Sequence, residues 1–436
     1  MKKWFPIILT GILVSLFFFP ITFSFLPATN TKNLTGAVGL VILLFLLIRR
    51  GEFVIPKEIL IILILSAFVS IVSLFSIIYN RTPDDSYVTY IRAAVIWLSG
   101  AVTVCTVIRL VHGRIDVPLI VNYLTGVCFF QCVSALLIEF VPSFGAFIDT
   151  YVLQDQETLH DIHRLYGIGA ALDVAGSRFA VVIAALAILI YERREDLSGM
   201  ELAVYLLAFL FITVVGNMIA RTTSVGVGVG ILLVGIFSFR NLLFEGVGFG
   251  KLFVVALAIL MFMVPLAIYL YNSSPAVQDL FRFGFEGFFN LAEQGSWSAG
   301  STEMLKEMVV FPETLKTWII GDGYFMNSRY DINYLGNATE GGYYMGTDIG
   351  YLRFIFYFGV VGLLAISAVM IYAAYIGATY FKDYLWIPIA GCIINFIVWV
   401  KVSTDLFPFL VLFVAAVLVM SLFPEEEDES EEVVQE

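Results

Sequence analysis

The chain has 436 residues, 60% of them hydrophobic and 14% charged, whereas a soluble domain carries about a quarter charged residues, so a soluble globular class is excluded. The formal charge of −12 is concentrated at one end: Glu425 to Glu436 hold eight carboxylates and no base, leaving −4 for the rest. No run of Lys or Arg is longer than Arg49-Arg50 or Arg193-Arg194, and without a basic stripe to release counterions nucleic-acid partners are excluded as well.

Crossing about 30 Å of hydrocarbon takes roughly 20 apolar residues in a helix. In chain order such runs fall at 7–26, 34–48, 59–79, 91–111, 118–141, 168–191, 201–219, 222–243, 251–271, 349–378, 385–401 and 403–423. They predict an all-α polytopic membrane protein of about twelve spans, nine in 1–271 and three in 349–423. The first run follows Met1-Lys-Lys-Trp, the charge order of a signal peptide, but it is long for one and has no small-residue cleavage site, so it is expected to stay as a span. Cys105, Cys128, Cys132 and Cys392 all sit in apolar runs, where packing is their expected role.

Short connections divide the basic residues into twelve on one side (Lys2, Lys3, Arg49, Arg50, Lys57, Arg109, Arg114, Arg193, Arg194, Arg240, Lys251, Lys382) and seven on the other. The first side is expected to be cytoplasmic, with both termini there. The long segment 272–348 then forms one large outer loop between the ninth and tenth spans, with a smaller companion at 142–166. Stretches 277–291 and 302–311 of the large loop suit short helices. The acidic tail, 424–436, has too few apolar residues to fold and is expected to be disordered.

Charge inside or beside a span is costly and so marks candidate function. His160 and His163 precede Arg164 on the smaller loop; their spacing is open to a metal, but no third ligand accompanies it, and a solvated or substrate-contacting role is expected. Arg178 follows the glycine-interrupted stretch Gly167 to Gly176, where it either lines a pocket or pairs with Asp173. Arg221, in Ala220-Arg-Thr-Thr-Ser224, is either a phosphate clamp or a side chain snorkelling to the interface. Gly226-Val-Gly-Val-Gly230 lacks a lysine and a preceding strand, so its small residues suit helix packing rather than a nucleotide. Asp322 and Glu340 sit in glycine-rich turns and are expected to be turn residues; Asp348 and Arg353 lead into the tenth span, and Lys401 with Asp405 suits a local ion pair. No Walker loop, Ser/His/Asp set or cofactor fingerprint is present, so neither metal nor cofactor is expected.

The twelve-span pattern, the late outer loop, Ala220 to Ser224, Gly321-Asp-Gly-Tyr324, Thr347-Asp-Ile-Gly-Tyr-Leu-Arg353 and Gly359-Val-Val-Gly362 together resemble bacterial O-antigen polymerases, within a superfamily that also holds O-antigen ligases. The resemblance implies a metal-independent inverting glycosyltransferase of the bacterial inner membrane that joins undecaprenyl-diphosphate-linked repeat units into a surface polysaccharide. A chain-length regulator is an implied partner, beside the lipid-linked glycan and the membrane lipid. Ligases of this kind carry a histidine in the large outer loop and 272–348 has none, which favours a polymerase. On this reading Arg164, Arg178, Arg221 and Arg353 hold the diphosphate. Asp348, with His163 and Glu340 behind it, takes the acceptor proton, and Tyr324 and Tyr343 stack on sugars. A ligase, or a transporter of lipid-linked glycan or solute, is the alternative; the short link at 192–199 and the lack of an internal repeat argue against a carrier built of two halves.

Overall fold

The computed structural model describes residues 4–50, 56–154, 164–244, 250–327 and 342–423. The apolar runs become α1 (Trp4–Phe18), α2 (Thr31–Arg50), α3 (Lys57–Asn80), α4 (Tyr90–His112) and α5 (Val117–Phe140), followed by a short α6 (Pro142–Tyr151). Next come α7 (Leu172–Glu192), α8 (Gly199–Ile219), α9 (Thr223–Phe244) and α10 (Gly250–Tyr271). The long segment holds α11 (Pro275–Gly284), α12 (Glu286–Gln294), α13 (Gly300–Glu307) and α14 (Leu315–Ile319); α15 (Gly350–Tyr380), α16 (Trp386–Val398) and α17 (Phe407–Leu422) close the chain. The strands are minimal: β1 (Thr22–Phe23) pairs antiparallel with β2 (Val152–Leu153), Thr22 opposite Leu153. Among the described residues eight helices are long and apolar enough to cross a membrane, and α1, α2 over Thr31–Leu46, α16 and α17 are shorter apolar helices.

Helix starts carry local signals. Asp116 accepts the Leu119 N–H at 2.8 Å ahead of Pro118, Ser198 and Glu201 form a reciprocal capping box, and Ser274 accepts from Val277 ahead of Pro275. Each satisfies a backbone donor that the first turn leaves open. The first apolar run does not give one helix over 7–26. The helix stops at Phe18, because Pro20 has no N–H to continue it and the next N–H, from Ile21, goes to the Thr31 hydroxyl at 3.0 Å. In the long segment, 277–291 is divided at Phe285 (φ −123, ψ 26), and the helix expected over 302–311 starts earlier and ends at Glu307.

Of the eight long helices the most enclosed is α7, packed against α5, α8, α9 and α16. Its neighbour α9 brings Gly226 against the Ala180 backbone, so closely that a Cβ would collide with it. The Gly226–Gly230 stripe is thus a packing device, and Cys105, Cys128 and Cys132 are buried within the same core.

Helix α15 is interrupted where the long segment packs against it. At Phe358 (φ −137, ψ 18) and Gly359 (φ +69) the helix breaks, and the turn Gly321-Asp-Gly323 enters the gap. There the Asp322 and Gly323 N–H groups donate to the carbonyls of Phe356 (2.6 Å) and Tyr357 (3.1 Å), while Ser76 Oγ donates to Tyr357 (2.7 Å) and Thr82 Oγ1 to Gly323 (2.8 Å). A Cβ on Gly359 would collide with Ile319, and Gly321 and Gly323 adopt positive φ, which is why these positions are glycine. The loop is therefore clamped to the helix bundle rather than hanging from it.

Candidate functional site

Charged side chains gather at the end of the bundle where α2, α4, α7, α9, α15 and α17 begin. The segment before α7 is held by Gln131, whose amide accepts the Ile168 N–H at 2.8 Å and donates to the Ile168 carbonyl at 3.0 Å. It delivers Asp173 into the first turn of α7. Asp173 Oδ1 accepts from Lys401 Nζ and from the Thr222 hydroxyl, both at 2.6 Å, so the helix that opens with Arg221-Thr222 and the loop after α16 meet on one carboxylate. Of the two readings open for Arg178, the pair with Asp173 does not form among the described residues, and the expected Lys401–Asp405 pair is replaced. Lys401 is drawn across the bundle to Asp173, and Asp405 accepts the Phe407 N–H at 3.3 Å just ahead of α17.

Arg221 pairs with Glu286 at the start of α12, and its guanidinium carbon lies 4.8 Å from the Phe283 ring centroid. Arg164 approaches the same ring at 4.7 Å, and its buried Nε has no hydrogen-bond partner among the described residues. Burial depresses both arginines below the usual guanidinium range; in Arg221 the charge of Arg164 adds to it, and Asp173 opposes it in both. Two cations sharing one aromatic ring, one with an unpartnered donor, can receive an anion's oxygens.

Arg353, on the first turn of α15, is 6% exposed and lies between Phe325 and Tyr343, 3.8 Å from each ring centroid. It donates to Ser403 Oγ at 2.8 Å and stands 3.6 Å from Asp348. Phe325 is placed there by Asp84, whose carboxylate accepts the Phe325 N–H at 2.7 Å and the Met326 N–H at 3.2 Å. Burial raises the Asp348 carboxyl to about 6; the charge of Asp173 adds to this, and Arg353 and Lys401 oppose it. A carboxylate poised there is suited to taking up a proton near neutral pH. Tyr343 is likewise raised, by burial first and by Asp348 second.

The remaining expectations fall in different places. Arg178 lies apart from Asp173, among Phe18, Phe19 and Trp97. Tyr324, expected to stack on a sugar, is 1% exposed and stacked on Tyr344 at 5.3 Å, so it packs the clamped loop instead of presenting a free face. Asp322 is a turn residue as expected, accepting from Lys316 (2.7 Å), Thr317 (2.8 Å) and Tyr344 (3.2 Å). His163 and Glu340 lie outside the described residues. Sequence reasoning missed Asp84, Glu286, Phe283 and Phe325. None belongs to a motif, and only the flanking glycine turns or helix starts signalled that their segments come to the bundle end.

Comparison of the chain with protein-family models and with curated proteins finds no match in either.

Proposed function

We propose that this protein is a membrane glycosyltransferase that polymerises undecaprenyl-diphosphate-linked oligosaccharide units at the outer face of a bacterial inner membrane. The observation that carries the reading is the gathering of Arg164, Arg221 and Arg353 with the proton-affine Asp348 near one half-buried carboxylate, Asp173. In this reading the eight long and four shorter apolar helices make twelve spans, both termini are cytoplasmic, and segment 272–348 lies outside.

Asp348, as its carboxylate, accepts the proton of the acceptor sugar hydroxyl as that oxygen bonds to the anomeric carbon of the donor. The bond from the anomeric carbon to the phosphate oxygen breaks on the opposite face, its electron pair leaves with the lipid diphosphate, and configuration inverts. Arg164 and Arg221 receive the charge that grows on the departing diphosphate, since fixed cations in a water-poor site favour the charged transition state without reorganising. Arg353, clamped between two rings, keeps Asp348 in place and keeps its proton affinity from rising further. Tyr343 is a candidate sugar-stacking surface, and a chain-length regulator is a candidate partner.

The test is to reconstitute the protein with lipid-linked oligosaccharide units from its own host and resolve the lipid-linked products by gel. The expected result is a ladder from the wild type that Arg221→Ala loses while its melting profile stays cooperative. No ladder from folded wild type would overturn the reading in favour of ligase-type transfer or transport. A ladder unaffected by Arg221→Ala would retain the activity and overturn this site.

A further inference from the structure

A second group of cations occupies the same end of the bundle without carboxylates to match it. Arg178, on the second turn of α7, is 7% exposed, and its guanidinium carbon lies 5.6 Å from the ring centroids of Phe18 and Phe19 and 5.8 Å from that of Trp97. Its buried Nε has no hydrogen-bond partner, and no hydrogen bond or ion pair joins its guanidinium to another residue among the described residues. Lys32, on the first turn of α2, holds its ammonium 5.1 Å from the Trp97 centroid, on the same ring, and likewise forms no ion pair among the described residues. Arg92, exposed at the start of α4, acts electrostatically on Lys32. Among the described residues the one carboxylate whose field reaches both Lys32 and Arg178 is Asp405, which also accepts the Phe407 N–H at 3.3 Å.

Three cations thus face one carboxylate, and α2, α4, α7 and α17 all begin around them, each adding the positive end of its dipole. Leaving a guanidinium buried without acceptors is costly, and ring faces offset only part of that cost. An oxyanion able to accept from a planar guanidinium fork and from an ammonium together supplies what is missing, and phosphoryl oxygens have that geometry and charge. We infer that Arg178 and Lys32, reached past Arg92, form a phosphoryl-anion site separate from the one around Asp173. Its ligand is a phosphate or diphosphate group, carried on a lipid or free. The site deepens the proposed function, in which donor and acceptor each bring a lipid diphosphate, and it rests on that reading only for assigning two sites to two substrates.

The test uses the full chain in nanodiscs and probes without sugar. Retention of undecaprenyl diphosphate is read by native mass spectrometry, and binding of inorganic diphosphate by calorimetry. Substitutions Lys32→Gln and Arg178→Met are expected to weaken binding by about ten-fold or more, and Lys32→Gln is expected to remove the binding that Arg221→Ala leaves behind. Loss confined to the lipid probe assigns a headgroup site, and loss of inorganic diphosphate binding in the same variants assigns a free-anion site. Wild-type binding in both variants would overturn the proposal. Lys32 is partly exposed and unpaired, so its variant keeps the test open if Arg178→Met fails to fold. Because the probes carry no sugar, a protein that binds them but makes no polymer loses the proposed function and keeps the site.

Discussion

Around Asp173, the cations Lys401, Arg221 and Arg353 each meet a carboxylate: Asp173 at 2.6 Å, Glu286, and Asp348 at 3.6 Å. Around Trp97, at the same end of the same bundle, Lys32 and Arg178 lie against aromatic rings and share the field of one carboxylate, Asp405. The difference separates two uses of buried charge. A cation with its own carboxylate partner supports the fold, so losing it strands that carboxylate even where, as proposed for Arg221, it also meets a ligand; cations that outnumber their one carboxylate, as Lys32 and Arg178 do, repel one another, and losing one relieves repulsion. The two clusters should therefore respond to mutation with opposite signs in stability.

The largest effect is expected where the paired cluster is made to lose its proton acceptor. Asp348→Asn should lower turnover by about 10²–10⁴-fold, measured on lipid-linked oligosaccharide. In the wild type the carboxylate is the active form. Turnover should then rise with pH through about 6, where Asp348 ionises, and level off above it; a rate independent of pH across that window would remove Asp348 as the base. Next, Arg353→Met should destabilise by about 3 kcal/mol in denaturant titration, since it strands a largely buried carboxylate. Lys401→Met, in a pair that is about one quarter to one third exposed, should cost about 1–2 kcal/mol. The smallest effect sharpens the contrast most: Arg178→Met should leave stability within about 0.5 kcal/mol of wild type or raise it. A loss as large as that of Lys401→Met would mean that Arg178 is a structural residue and that the two clusters do not differ.

Helix positions were legible because hydropathy acts locally. The twelve apolar runs and the helices that replace them agree closely, apart from the stop at Phe18, where Pro20 and the Thr31 hydroxyl together end a run whose composition alone would continue. Burial was not legible in the same way. Helices α7 and α10 are both strongly apolar, yet α7 is almost wholly buried and no residue in Val254–Tyr271 of α10 is buried. What distinguishes them is size: α7 is rich in Ala and admits Gly226 and Gly230 of α9, whereas Met261, Phe262 and Tyr269 of α10 stand exposed. The arginines of the site were legible as charges out of place. Their partners were not, because Lys401 to Asp173 and Arg221 to Glu286 join residues that sequence spacing never relates, and the nearer pairs it suggested lost to contacts made by packing. Gly321 and Gly359 were visible as a motif, but only the break at Phe358 explains why the turn and the helix need glycine together.

The proposed glycan transfer from a lipid diphosphate at the Asp348 end of the bundle can be measured as a rate. The most direct measurement is the initial rate of product laddering by purified wild type and Asp348→Asn, side by side, from pH 5 to pH 8. The account predicts a ladder from the wild type whose rate climbs through about pH 6 and a rate from Asp348→Asn lower by about 10²-fold or more at every pH. Equal rates from the two proteins, or no ladder from folded wild type at any pH, would contradict it.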